Sequence, residues 1–478
     1  MIQPFYVPKK RNLWLFLFLG SALLPMPAQE IRRLSPDEAV SLALKNNLSL
    51  ASSQISANTK QRKADTAWNT FIPTVNLSST LTGSNAKTTT SGSGLAPIAP
   101  MTGPGSPPGS VYVAPYSYSV DTPQWRWIPL SISASWNLNI AMFESMKATR
   151  LAYEGGLISH EKAKAQLERD VRKTYYNMLL MQEQIELQRE SLAAAERQVE
   201  TARASYRAGL TPELTWLQAQ VDRENKKPQI DQAEKGLKTS MAQFALNLGL
   251  SYDTQFELIP MEDPAGFVPL DVQELIAVAS AGKPEIMELK NQILQLESSR
   301  KAQALSLFTP NLSVQWSTSF GMWDNVNNFH PFKETWEQNP GSLSITLSFS
   351  LNNLLPFGSG QQGLKDLEDS LKTARIGLAQ AIQGAEIEIY STILNLAQVQ
   401  TSLDAQKGTV DLAERTYRLT ETAYRNGLRT LVEVQNAELA LRTAKSNIVN
   451  QQFTYLQGLI DLEYAIGVPF GTLSGRAQ

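Results

Sequence analysis

Asn311-Leu-Ser-Val-Gln-Trp-Ser-Thr-Ser-Phe320 and Ser342-Leu-Ser-Ile-Thr-Leu-Ser-Phe-Ser-Leu351 alternate apolar and small polar residues almost without a slip. An earlier pair does the same. In one member Ile128, Leu130, Ile132, Ala134, Trp136, Leu138 and Ile140 oppose Ser131, Ser133, Ser135, Asn137 and Asn139. In the other, weaker member Val75, Leu77 and Leu81 oppose Thr74, Asn76, Ser78 and Thr80. Period-two alternation over roughly ten uncharged residues is the pattern of a transmembrane strand, one face in lipid and the other in a wet lumen. For any single strand, a soluble sheet with one solvated face is the better account. Four such strands, all with Ser, Thr and Asn rather than Lys and Glu on the polar side, bring a membrane barrel level with that reading.

Outward from the strands, the chain is duplicated. A helix opens at Ser35-Pro36-Asp37-Glu38, with Ser35 as its N-cap and Pro36 at its first position. Its counterpart begins at Asp271 and carries Glu274, Leu275, Ile276, Val278 and Ala279. Matched breaks follow at Phe71-Ile72-Pro73 and Phe308-Thr309-Pro310, where proline ends a helix and a strand starts. After each strand pair comes a long heptad seam: Val171, Thr174, Met178, Met181, Ile185, Gln188, Leu192, Ala195, Val199, Ala202 and Tyr206. Adding 218 to each number gives Ile389, Thr392, Leu396, Val399, Leu403, Gln406, Val410, Ala413, Tyr417, Thr420 and Tyr424, so even the polar exceptions recur. A helix from about Ala141 to Ala208 runs on the order of 100 Å and must project from any compact body. Both seams end at a glycine tip, Tyr206-Arg-Ala-Gly209-Leu210-Thr211 and Tyr424-Arg-Asn-Gly427-Leu428-Arg429-Thr430, after which a second helix of about forty residues is expected.

These marks divide the chain into 1–28, 29–70, 71–140, 141–250, 251–307, 308–352, 353–467 and a tail at 468–478, with tips at 206–211 and 424–430. Residues 1–28 read as a cleaved signal peptide: Lys9, Lys10 and Arg11, an apolar run from Leu13 to Leu24, and small Ala28. Outer loops are expected at 83–124, rich in Ser, Thr, Gly and Pro, and at 321–340, which holds Trp323, Phe329, Phe332 and Trp336. Trp125 and Trp127 at one strand end, with Phe71 and Phe308 at the other, suit two interfacial aromatic girdles.

Composition narrows the function. A net charge of -2 over 478 residues gives no reason to expect a nucleic-acid partner. The absence of cysteine excludes disulfides, thiolate metal sites and a lipid-modified cysteine anchor. The two histidines, His160 and His330, stand apart from ligand-spaced carboxylates, and Gly103-Pro104-Gly105 lacks the context of a phosphate loop. Glu386 and Glu388 lie on a charged helix face. An enzyme is not indicated, and no cofactor is expected. Four strands cannot close a membrane barrel, because an open edge in lipid leaves backbone groups unpaired. Two chains would give eight strands and three would give twelve; the serine-lined face favours the larger, wet ring.

This order of helix, strand pair, long helix, glycine tip and second helix, repeated twice, resembles the TolC-like outer-membrane efflux proteins over nearly the whole mature chain. The resemblance implies a mainly α fold with a transmembrane β part: a homotrimer whose protomers each give four strands to a twelve-stranded β-barrel, continuous with a periplasmic α-barrel of long coiled-coil helices. It implies outer-membrane lipid around the barrel, a periplasmic adaptor (membrane fusion protein) at the tips, and an inner-membrane transporter that supplies energy to a passive exit duct. By position, Gly209, Leu210, Thr211, Gly427 and Leu428 match adaptor-docking residues. Glu433 and Asn436 match the two acidic positions that ring the periplasmic aperture, the second without its acid. Tyr424 and Arg429 match residues that hold the tip shut, and their partner position is Thr215, which is neutral, so that a lock would use a hydrogen bond or Glu213. A periplasmic coiled-coil scaffold without conducting activity is the alternative.

Overall fold

The computed structural model describes residues 32–96, 112–260, 272–320 and 338–473. The expected signal peptide, the middle of the first outer loop and all but the last three residues of the second lie outside them. The first half runs β1 (Arg32–Leu34), α1 (Pro36–Asn46), α2 (Leu48–Asp65), a 3-10 turn at Ala67–Phe71, β2 (Thr74–Ala96), β3 (Tyr112–Leu138), α3 (Ala141–Arg207) and α4 (Glu213–Asn247). After β4 (Phe256–Leu258) the second half runs α5 (Val272–Gly282), α6 (Pro284–Phe308), β5 (Asn311–Phe320), β6 (Gln338–Ser348), a 3-10 turn at Leu351–Leu354, α7 (Ser359–Arg425) and α8 (Leu431–Ile466). The long helices α3 and α7 are both 67 residues, about 100 Å at 1.5 Å per residue. Their starts and ends, and the starts of α4 and α8, differ by the offset of the heptad seam.

The helices begin and end where local chemistry dictates. Ser35 Oγ accepts from Glu38 N–H at 3.2 Å while the Glu38 carboxylate accepts from Ser35 N–H at 3.0 Å, a reciprocal cap that fixes the entry to α1. Pro284 occupies the first turn of α6, where its missing N–H costs nothing.

β2, β3, β5 and β6 form one antiparallel sheet in that order. Its register sorts the side chains by row. Val75, Ala134, Trp316 and Leu343 share one row, and Leu138, Leu312 and Leu347 share another. The alternate rows hold Asn76, Ser133, Ser317 and Ser342, then Thr74, Ser135, Gln315 and Ser344. One face is therefore apolar and exposed, at Val75, Leu77, Leu343, Ile345 and Leu347, and the other is hydroxyl-rich.

Three expectations are corrected here. Ladder pairing continues from Gly83↔Trp125 to Ala96↔Tyr112, so 83–96 and 112–124 are strand rather than loop; Thr88–Thr90 and the alternating Tyr116, Tyr118 and Val120 supply β-propensity that outweighs the Gly and Ser. Second, the register shifts between Ser78 and Thr80, where Pro129, unable to donate to a ladder, lies in the partner strand. Ile128 therefore pairs with Thr80 instead of continuing the apolar row, and Trp127 takes the place opposite Leu81. Third, β6 stops at Ser348, and Leu351 belongs to a 3-10 turn. Gly341, with φ +104°, sits beside the second shift, where a side chain would be strained.

The helices form a single layer. Near the sheet, α2 packs on α3, α3 on α6 and α6 on α7; towards the tips, α4 packs on α3, α3 on α8 and α8 on α7. No extended contact joins α7 to α2 or α4 among the described residues. Midway along, β1 pairs in parallel with β4 over a core of Leu34, Val40, Val171, Tyr175, Met178, Phe244, Leu248, Phe256 and Ile460. Tyr175 is fully buried. Its hydroxyl lies 2.8 Å from the Leu34 carbonyl and 3.0 Å from that of Ile259, and it accepts from Ile259 N–H at 3.0 Å. Burying each such large side chain contributes roughly 1.5–3 kcal/mol.

Candidate functional site: the paired helical tips

Two turns join the long helices, α3 to α4 and α7 to α8, and each is built on a glycine in the left-handed region, Gly209 at φ +72° and Gly427 at φ +73°. Gly209 N–H donates to the Tyr206 carbonyl at 2.9 Å and Leu210 N–H to that of Ser205 at 2.9 Å. In the second tip Gly427 donates to Tyr424 at 2.9 Å and Leu428 to Ala423 at 2.8 Å. This double closure satisfies the last carbonyls of each helix and requires a residue without a Cβ penalty. It also thrusts the next side chain outward: Leu210 and Leu428 are each 77 % exposed. Beside the first tip, Tyr206 stacks on Trp216 with ring centroids 5.9 Å apart.

Behind the tips one cluster joins all four long helices: Val199 and Ala202 from α3, Ala219 from α4, Tyr417 and Tyr424 from α7, and Leu431, Val434 and Ala437 from α8. Tyr424, matched by position to the tip lock, is thus a core residue, and its hydroxyl has no hydrogen-bond partner. Burial pushes that hydroxyl's pKa up. Arg429, just ahead of α8, donates to Glu433 in the first turn of that helix at 2.6 Å. Thr215 donates its N–H to the Pro212 carbonyl at 3.1 Å, and no hydrogen bond brings it to Tyr424 or Arg429 among the described residues. Thr211 is half-buried, and its hydroxyl has no partner.

Glu433 has a local task that the sequence analysis missed. It is the third residue of α8, and its carboxylate accepts from Thr430 N–H at 2.8 Å while Thr430 Oγ1 accepts from Glu433 N–H at 3.4 Å. The signal was present as Thr430-Leu-Val-Glu433, the pattern of a reciprocal cap. The Thr430 N–H first, and the Arg429 guanidinium second, hold the Glu433 carboxyl below the usual range. Asn436, one turn further on, is exposed.

Above the tip the halves are tied by charge. Lys226 of α4 donates to Ser191 of α3 at 2.8 Å and pairs with Glu438 of α8 at 3.5 Å and Asp222 at 3.8 Å. Its position in the second half is Ala444, so the tie breaks the duplication, which is the only sequence signal it leaves. Higher up, Lys445 of α8 pairs with Glu190 of α3 at 2.8 Å, and Lys173 of α3 with Asp461 of α8 at 2.7 Å. The described residues hold no cluster of metal-binding side chains and no helix long and apolar enough to cross a membrane.

A sequence model of the outer membrane efflux proteins matches residues 39–250 and 275–468. The outer membrane protein TolC of Salmonella enteritidis is 26 % identical over 42 % of this chain and 40 % of its own length. TolC of Vibrio cholerae is 24 % identical over 62 % of this chain and 66 % of its own. The chain thus spans about half the length of these curated relatives. Among solved structures, that of CusC superposes with a TM-score of 0.69 at 16 % identity, covering 94 % of this chain and 96 % of that one. At that identity the likeness is one of fold.

Proposed function

The chain belongs to the outer membrane efflux protein family, and from that membership we propose that it is a passive exit duct of a tripartite efflux or secretion system. In this reading three copies close the sheet into a twelve-stranded barrel and the helical layer into a tunnel through the periplasm. An adaptor docks at Gly209, Leu210, Thr211, Gly427 and Leu428, and an inner-membrane transporter drives the cargo.

One observation carries the proposal: every layer of the protomer is open on the same two sides. β2, α2 and α4 form one margin and β6 and α7 the other, from sheet to tip. Backbone groups of β2 and β6 left unpaired in lipid would each cost several kcal/mol, so an isolated protomer cannot rest in a membrane. The margins also expose apolar side chains, Leu214, Leu217 and Val221 on α4 and Ile387, Tyr390 and Leu394 on α7. A scaffold in water would have no use for a sheet whose exposed apolar face carries no charge over the rows named above.

In the same reading Glu433 and Asn436 line the periplasmic aperture, where the Glu433 carboxylates alone, each paired with Arg429 at 2.6 Å, would favour cations. Purified protein in planar bilayers is expected to give a small, cation-preferring conductance, and Glu433→Gln to weaken the preference. Protein that stays soluble without detergent and silent in bilayers would sink the duct reading.

A further inference from the structure

Between α3 and α8, above the tips, lies a groove of about 360 Å³ whose lining includes Glu190, Arg197, Tyr417, Glu438, Arg442 and Lys445. Its charges do not cancel. Glu190 is taken by Lys445 at 2.8 Å, and Glu438 is matched by Lys226 at 3.5 Å. Arg197 and Arg442 enter no ion pair among the described residues, so two guanidinium groups at one groove lack a direct carboxylate partner, while Lys226 divides its charge between Glu438 and Asp222. Tyr417 is only 8 % exposed; its hydroxyl lies beside the Arg197 guanidinium, which can donate to it, and has no acceptor for its own proton. A buried O–H donor without an acceptor is a standing deficit that an incoming oxygen would remove.

We propose that this groove is an oxyanion-binding site, in which Arg197 and Arg442 grip a carboxylate or phosphate group and the Tyr417 hydroxyl donates to one of its oxygens. Guanidinium suits such groups because its planar N–H donors match two oxygens at once. Burial first, and the Glu421 carboxylate second, raise the Tyr417 hydroxyl above its ordinary pKa, so it remains a donor at neutral pH. The site has a mechanical consequence. Below Glu388, the ion pairs of α7 are internal to it, Lys407 with Asp404 and Arg425 with Glu421, and none reaches another element among the described residues. An anion held by α3, α7 and α8 together would add a charged tie just above the tips.

The test is calorimetric titration of the full-length protein in detergent with sodium phosphate and, separately, with citrate, against sodium chloride at matched ionic strength. Saturable binding of either anion, absent with chloride, is expected, together with a rise in Tm. The double variant Arg197→Gln/Arg442→Gln should bind about tenfold more weakly or worse, with its Tm in chloride unchanged because neither side chain is in the core. Tyr417→Phe should weaken binding several-fold. Heats equal to those of chloride for both anions, or wild-type affinity in the double variant, would overturn the assignment.

Discussion

Tyr175 and Tyr424 are both buried tyrosines, and their hydroxyls sit in opposite circumstances. That of Tyr175 is surrounded by the backbone of Leu34 and Ile259, so Tyr175→Phe removes those hydrogen bonds, each worth roughly 0.5–1.5 kcal/mol, although Ile259 N–H keeps its own bond to the Leu34 carbonyl at 3.3 Å. That of Tyr424 has no partner to lose. Tyr424→Phe is therefore expected to leave stability unchanged or slightly improved. Urea midpoints of the two variants in detergent check the contrast, and a large loss for Tyr424→Phe would mean that the hydroxyl finds a partner in a neighbouring copy. Glu433 provides the pH-dependent counterpart. Because its folded-state pKa is held down by Thr430 N–H and Arg429, its contribution is present above the ordinary carboxylate range. It is lost as pH falls through the lowered value. The stability gap between wild type and Glu433→Gln should hold near neutral pH and close in acid; a gap that widens in acid would reverse the sign.

At the scale of elements, the two kinds of glycine make opposite predictions. Gly427 closes a helix at positive φ with open space where a Cβ would go, so Gly427→Ala meets only backbone strain and should cost about 1 kcal/mol. Gly408, inside α7, also has open space and has no positive φ, so Gly408→Ala should gain up to about 1 kcal/mol. Thermal melts of both variants would show shifts of opposite sign. These tips, and the duplication that matches α3 to α7, were legible because a heptad seam and a glycine after it are local patterns. Of the polar exceptions, the threonines have local answers, since Thr174 and Thr392 each donate back to a carbonyl four residues earlier, at 2.7 Å, whereas the Gln188 and Gln406 side-chain oxygens are buried without a partner. The length of the first hairpin was hidden, because Ser, Thr and Gly read as loop until a partner strand is known. The register shift at Pro129 was hidden for the same reason, since a slip of one residue leaves no trace in either strand alone. The Arg197 and Arg442 groove could not be read at all. Its residues come from helices hundreds of positions apart, and what marks them is a missing partner rather than a motif.

At the scale of the whole molecule, the two margins decide whether the chain is a duct or a detached layer. Ile387 on α7 is 69 % exposed, and Leu394, two turns along, shares its margin. Neither belongs to the packed clusters that hold α7 to α8, where Ile389 and Leu396 point inward. A charge at these positions leaves the protomer's own core untouched. If the α7 margin of one copy meets the α2 and α4 margin of the next, Ile387→Glu/Leu394→Glu buries two carboxylates without partners, a cost of several kcal/mol per contact that recurs at every interface of a closed ring. The double variant should keep wild-type helix content by circular dichroism, lose the trimer band after cross-linking and give no bilayer conductance. A variant that still cross-links as a trimer would place the contact elsewhere on the protomer. Loss of helix content together with the trimer would mean instead that no protomer folds ahead of its ring.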